Sequence, residues 1–160
     1  MSPVGAIDVV VKDGSTVCLR LAVSSDVGAI VTFLQALSPA SRYFRFLGFP
    51  SLTPARIQPL IESSDGAASA LIAEAGGRVV AFAGFHRDAA TPARAEVAFA
   101  VADAAQGHGI GTRLLEQLAR LARERRITHF DAYVMAENRR MLDLFRDSGF
   151  TVTTALEDQL

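Results

Sequence analysis

The segment Gln106-Gly107-His108-Gly109-Ile110-Gly111-Thr112 lies between an apolar run at residues 97–101 and an amphipathic run at residues 114–122. This order predicts a strand, a glycine-rich turn and the first turn of a helix. The N–H groups of a first helical turn have no partner within the helix, and glycines let the main chain approach a phosphate closely. The pattern therefore predicts an anion-binding loop, although a tight connection without a ligand could use the same glycines.

Two common phosphate-binding loops do not match this segment. A Walker A loop ends in Gly-Lys-Ser/Thr, which is absent here. A dinucleotide fingerprint has the spacing G-x-G-x-x-G, with an acidic residue about 20 positions further on. Here the spacing is Gln-x-x-Gly-x-Gly, and residues 127–134 predict a strand without a well-placed terminal carboxylate. The loop is expected to bind a phosphate of another kind.

Length and composition predict one folded domain over residues 1–160. Half of the 160 residues are hydrophobic, which is enough for a substantial core. The net charge of −1 gives no reason to expect nucleic acid or an anionic membrane as a partner. No run approaches the roughly 20 apolar residues of a membrane span, and the N-terminus lacks a signal-peptide pattern. The single cysteine, Cys18, cannot form an intramolecular disulfide, which agrees with a cytoplasmic location.

The hydrophobic pattern predicts an α/β fold with a mixed sheet. Strands are predicted at residues 9–11, 16–21, 69–75, 79–85, 94–101, 129–135 and 150–154. Helices are predicted after Ser24 or Ser25 as N-cap, from Pro54 after an N-cap at Thr53, and at residues 111–125 and 138–148. The helix at 111–125 would be a right-handed crossover between two parallel strands, and the strands before it would form an antiparallel meander.

Two longer motifs carry a resemblance to a known family. Residues 96–112 are similar to the Q/R-x-x-G-x-G/A loop, with its preceding strand, of the GNAT acyl-CoA N-acyltransferases, and residues 138–150 are similar to that family's asparagine-containing helix ending in Gly-Phe. The resemblance spans residues 15–155. It implies the GNAT fold, in which an antiparallel meander and a parallel strand pair splay around the CoA site and helices flank the sheet.

Residues 37–46 and 95–99 resemble the bacterial protein lysine acetyltransferases called Pat. Those enzymes are commonly multidomain. The resemblance therefore leaves open a parent protein in which this domain is fused to a regulatory module.

The resemblance also implies the CoA-binding residues. Main-chain groups of the strand end would pair with the pantetheine arm, the glycine loop would hold the diphosphate, and the later helix would lie beside the thioester. The residues expected in these roles are Phe99, Ala100, Val101, Gln106, Gly107, His108, Gly109, Ile110, Gly111, Thr112, Asn138 and Phe145. The family often has tyrosine where Phe145 stands, so solvent or the departing ammonium proton would protonate the thiolate. No metal is expected, because the three histidines lack a ligand spacing.

Glu96 is the candidate general base. Strand alternation puts it on the face opposite Val97, Phe99 and Val101, where it could also be a solvated edge carboxylate. The Pat pattern carries its base in this segment. A lysine has a pKa of about 10.4, so freeing its amine at pH 7 costs roughly 4 to 5 kcal/mol, and a carboxylate in a partly apolar cleft could accept that proton.

These observations predict an acetyl-CoA-dependent acetyltransferase acting by direct transfer in a ternary complex. The resemblance to Pat implies a protein lysine as acceptor, in particular on an acyl-CoA synthetase. Two alternatives stay open at this point. One is acetylation of a small amine, and the other is a CoA-sensing domain without turnover.

Overall fold

The computed structural model describes residues 7–10, 14–37, 54–61, 67–102 and 109–132. Within these ranges six strands form one sheet in the order β1-β2-β3-β4-β5-β6. The strands are β1 Ile7–Val10, β2 Thr16–Leu21, β3 Ala68–Ala75, β4 Arg78–Arg87, β5 Arg94–Val101 and β6 His129–Ala132. The helices are α1 Val27–Gln35, α2 Pro54–Ile61 and α3 Ile110–Glu124.

The strand pairing confirms the predicted mixed sheet. Neighbouring strands from β1 to β5 are antiparallel, whereas β5 and β6 are parallel. The helix α3 connects the parallel pair, since two parallel neighbours cannot be joined by a tight turn. The predicted helix at 138–148 and the predicted strand at 150–154 lie outside the described residues.

Helices cover both faces of the sheet. On one face, α3 packs against residues that include Ala83, Phe85, Val97 and Phe99. On the other face, α1 and α2 pack against residues that include Phe82 and Ala98. The central strands β4 and β5 are therefore buried on both sides, which explains why their sequences read as nearly continuous apolar runs.

The helix α3 agrees closely with its prediction. Leu114, Leu115, Leu118 and Ala122 are buried, and Leu121 is half-buried. Glu116 and Arg120 are exposed on the opposite side. This amphipathic pattern fixes the rotation of α3 about its axis, because only one side can cover the sheet.

The start of α1 differs from its prediction, because neither Ser24 nor Ser25 caps this helix. A 3₁₀ turn at Ser24–Asp26 precedes α1, and Asp26 is the N-cap residue of α1 without a side-chain capping bond. Instead, Arg20 donates two hydrogen bonds of 2.8 Å to the two carboxylate oxygens of Asp26. The Val23 N–H also donates to Asp26, at 2.7 Å. A bidentate ion pair thus ties β2 to the start of α1.

We expect Asp26→Asn to lower the free energy of unfolding at neutral pH and to make that free energy depend less on pH under acidic conditions. Hydrogen bonds from Arg20 lower the pKa of Asp26 in the folded chain. A lowered pKa gives stability above the unfolded value of about 3.9, and that stability is lost as the pH falls below it. The loss at pH 7 should be roughly 1–3 kcal/mol, the usual range for a hydrogen bond to a charged group.

Urea unfolding at several pH values measures this effect. The exposed Glu124 provides the control variant Glu124→Gln, which should unfold like the wild type at each pH. If Asp26→Asn kept the wild-type stability at pH 7 and the wild-type slope between about pH 5 and 3, the ion pair would contribute nothing to folding.

Candidate active site

Helix α3 begins after a glycine in the left-handed conformation, without a side-chain cap. Gly109, its N-cap, has φ 88° and ψ 0°, a left-handed conformation that residues with side chains rarely adopt. Gly109 has no side chain to cap the N–H groups of Ile110, Gly111 and Thr112. The first turn of α3 also contains no acidic residue that would compete with a bound anion. Gln106, Gly107 and His108 lie outside the described residues.

The strand β5 leads toward this turn, and its hydrogen bonds alternate in direction. The Ala102 N–H donates to the Val80 carbonyl at 2.8 Å, and the Asp88 N–H donates to the Arg94 carbonyl at 2.9 Å. Even-numbered residues of β5 therefore present their main-chain polar groups to β4. On the other side, the Thr128 N–H donates to the Ala93 carbonyl at 2.8 Å, next to the start of β6.

This alternation separates the three residues expected to meet the pantetheine arm. Ala100 is paired with Phe82 of β4, so its N–H and C=O are directed into the sheet. Phe99 and Val101 present theirs to the side of β5 that β6 occupies. In the described residues β6 pairs with Arg94–Val97, and residues after Ala132 lie outside them. The structure thus distinguishes Phe99 and Val101 from Ala100, which sequence alternation alone could not do.

Glu96 lies on the face of the sheet that α1 and α2 cover. Ala98 and Ala100, which follow it at two-residue spacing, belong to the core beneath these helices. Val97 and Phe99 lie on the α3 face, as the sequence predicts. Glu96 itself is half-buried. It stands five residues before Val101, a separation of about 17 Å along an extended strand.

The neighbours of Glu96 on the adjacent strands were not predicted. His86 of β4 and Asp131 of β6 are its register partners. Arg94 donates two hydrogen bonds to Asp131, from Nε to Oδ2 at 3.1 Å and from Nη2 to Oδ1 at 2.5 Å. The two-residue spacing of Arg94 and Glu96 in the sequence places them on one face of a strand. The sequence does not show which residues of the neighbouring strands lie beside them.

The free thiol of Cys18 lies far from this region. Cys18 is on β2, paired with Asp8 and Glu74, and two strands separate β2 from β5. Partial burial and the nearby Asp8 carboxylate raise the pKa of Cys18. A raised pKa disfavours the nucleophilic thiolate, so nothing at Cys18 favours a covalent acyl-enzyme.

Two further features concern the described residues alone. In these ranges, no group of three histidine, cysteine or acidic side chains could hold a metal ion. In the same part of the chain, no helix combines the length and the apolar character that crossing a bilayer would require.

A mixed sheet with a parallel pair, a helix crossover after a glycine turn and helices on both faces is the arrangement that the resemblance to the GNAT acyltransferases implies. The model of the acetyltransferase (GNAT) family matches residues 32–150. The chain belongs to this family and is an acetyl-CoA-dependent N-acetyltransferase. The expectation of a GNAT fold is therefore confirmed.

Three solved structures bear on the finer identity. The GNAT domain of S. lividans PAT is 35% identical with a TM-score of 0.83, and the match covers 99% of this chain and 95% of that one. The ribosomal-protein-alanine N-acetyltransferase from Brucella melitensis is 27% identical with a TM-score of 0.67, covering 82% of each chain. The cAMP-binding acyltransferase from Mycobacterium smegmatis is 28% identical with a TM-score of 0.64; the match covers 90% of this chain but only 42% of that protein.

Proposed function

We propose that this protein transfers the acetyl group of acetyl-CoA to a lysine side chain of another protein. The observation that carries this proposal is the 35% identity to the GNAT domain of S. lividans PAT over nearly the whole chain. An acyl-CoA synthetase is the acceptor that we would test first. The reaction would take place in the cytoplasm, where both substrates are available.

Acetyl-CoA would bind along β5 and at the start of α3. The N–H groups of residues 107–112 would hold the diphosphate, aided by the partial positive charge of the helix terminus. Phe99 and Val101 would pair with the pantetheine arm as an added strand does. Gln106 would stand at the loop entrance, with Asn138 and Phe145 at the thioester end.

Glu96 would act as the general base. A pantetheine arm paired with Phe99 and Val101 would extend along β5 from a diphosphate at the α3 turn and would bring the thioester toward Glu96. The half-buried carboxylate would take a proton from the acceptor ammonium, and the neutral amine would then attack the thioester carbonyl. Main-chain N–H groups would stabilise the oxyanion that forms. CoA would then leave as the thiolate, which would take up the remaining proton of the attacking nitrogen, directly or through solvent.

Mass spectrometry of acetylated sites tests the acceptor. The purified protein is incubated with acetyl-CoA and either a purified acyl-CoA synthetase or a lysate. Acetylation of lysine side chains supports the proposal. Acetylation confined to alanine amines of ribosomal proteins would instead favour the activity named for the Brucella melitensis protein. Acetylation of small amines alone would favour a small-molecule acetyltransferase. Binding of acetyl-CoA without any transfer would favour a sensing domain.

We expect Gly109→Ala to weaken both folding and CoA binding. No atom lies within 4 Å of an added Cβ at Gly109, so the cost comes from the left-handed backbone alone. That cost is roughly 1–2 kcal/mol. If the turn relaxes to avoid it, the N–H groups of the first turn move, and the Kd for CoA should rise about tenfold. Thermal unfolding and calorimetric titration measure the two effects.

Gly28→Ala is the matched control for this variant. Gly28 is exposed and equally free of contacts, but it lies inside α1 with ordinary helical geometry. Alanine there should stabilise the protein by roughly 0.5–1 kcal/mol and leave CoA binding unchanged. Equal effects of the two substitutions would show that the conformation of Gly109 is not required.

A further inference from the structure

Glu96 has a charged or titratable neighbour on each adjacent strand. Register pairs place Ala68, His86, Glu96 and Asp131 in one row across β3, β4, β5 and β6. Residues that are paired in this way point to the same face of a sheet, with their strands about 4.8 Å apart. Two carboxylates, those of Glu96 and Asp131, therefore stand side by side.

Arg94 forms an ion pair with one of these carboxylates, that of Asp131. It lies two residues before Glu96 on β5, hence on the same face, and holds Asp131 by two hydrogen bonds. The side chains of Arg94 and Asp131 are 43% and 37% exposed. Such a half-exposed pair adds little to stability, because water and salt screen it. Its position next to Glu96 gives it a more specific consequence.

We propose that Arg94 and Asp131 are positioning residues that set the charge around Glu96 and thereby the pH at which this carboxylate takes up and releases a proton. This inference rests on the proposed role of Glu96 as general base. Paired, the two residues place almost no net charge beside Glu96. Unpaired, either would place a full charge there, negative from Asp131 or positive from Arg94.

The proposal makes opposite predictions for the two single variants. In Arg94→Gln, the uncompensated Asp131 charge disfavours ionised Glu96, so Glu96 should hold its proton to a higher pH. In Asp131→Asn, the freed Arg94 charge favours ionised Glu96, so the proton should leave at a lower pH. Each shift should be about half a pH unit, because water and salt screen these half-exposed charges. The double variant should return close to the wild type, since both charges are then gone.

Other charged groups on this face define the background for the measurement. His86 faces Glu96 from β4, and His129, the register partner of Arg94, lies on the same face of β6. Of the two helices described on this face, α1 has no charged residue, and α2 has only Arg56. All variants are therefore prepared in a His86→Gln background as well as in the wild type.

Carbon-13 NMR titration of the Glu96 carboxyl group tests the inference directly. The signal is assigned by its loss in Glu96→Gln. We expect an upward shift for Arg94→Gln, a downward shift for Asp131→Asn, near-wild-type titration for the double variant, and substantial rescue by Arg94→Lys, which keeps the charge. Shifts in the same direction, no shifts, or a double variant unlike the wild type would overturn the proposal.

The acid limb of the pH–rate profile separates this inference from the proposed function. If Glu96 is the base, the limb should move with the NMR titration in each variant. If Glu96→Gln keeps full activity while the NMR shifts occur, the catalytic role fails but the charge relation stands. Glu96→Gln could instead be inactive while the Arg94 and Asp131 variants keep the wild-type NMR titration and acid limb. The proposed role of Arg94 and Asp131 would then be wrong, and Glu96 would remain the candidate base.

Discussion

We expect Glu96→Gln to lower kcat/KM for acetyl transfer by roughly 10²- to 10⁴-fold, the usual contribution of a positioned general base. Glutamine keeps the size of the side chain but cannot accept the ammonium proton. Acetyl-CoA binding should be almost unchanged, because none of the proposed contacts that hold the coenzyme is made by Glu96. Thiol release from acetyl-CoA measures turnover, and calorimetry measures binding.

Glu116→Gln is the matched control, since Glu116 is exposed on the solvent side of α3. It should retain wild-type activity. Raising the pH should partly rescue Glu96→Gln, because more of the lysine acceptor is then already neutral. Activity of Glu96→Gln equal to the wild type at pH 7 would remove Glu96 from the mechanism.

The second large effect concerns stability. We expect Phe82→Ala to destabilise the fold by roughly 3–5 kcal/mol. Phe82 is fully buried, and it packs within the core that joins α1 and α2 to the sheet. Its register partners are Ile72 and Ala100. The small side chain of Ala100 cannot fill the cavity that Phe82→Ala would leave. Denaturant unfolding measures the change in free energy, and thermal unfolding should show a fall in Tm of about 2–4 °C per kcal/mol.

Phe82→Leu is the control for this cavity, because it removes less volume and remains apolar. It should cost less than half as much as Phe82→Ala. A loss below about 1 kcal/mol for Phe82→Ala would mean that the helices can collapse onto the sheet and that this core is loosely packed.

The elements that the sequence predicted well are those with one strong physical signal. The stripe of α3 and the alternating or continuous apolar strands β3, β4 and β5 follow from burial, which hydrophobic periodicity reports directly. The glycine-rich turn was also visible, because few residues other than glycine tolerate the backbone found at Gly109. These features together were enough to predict the fold and the family from the sequence.

What the sequence could not predict depends on contacts between distant residues. The N-cap of α1 is Asp26 and not one of the predicted serines. The Asp26 carboxylate accepts two hydrogen bonds from Arg20 on the preceding strand, and the sequence does not show this contact. The row around Glu96 requires the register of three strands, and a shift of one residue would have moved every side chain to the other face. Likewise, the separation of Ala100 from Phe99 and Val101 follows from the ladder of hydrogen bonds and not from residue type.

The burial of β5 on both faces has a consequence for the evolution of acceptor choice. A group carried on a strand enclosed by two helical layers cannot swing to meet acceptors of different shape. New acceptors must therefore be accommodated by changes in segments outside this strand. Such changes can accumulate without disturbing Glu96, the proposed base, so related enzymes could diverge in what they modify and keep the same chemistry.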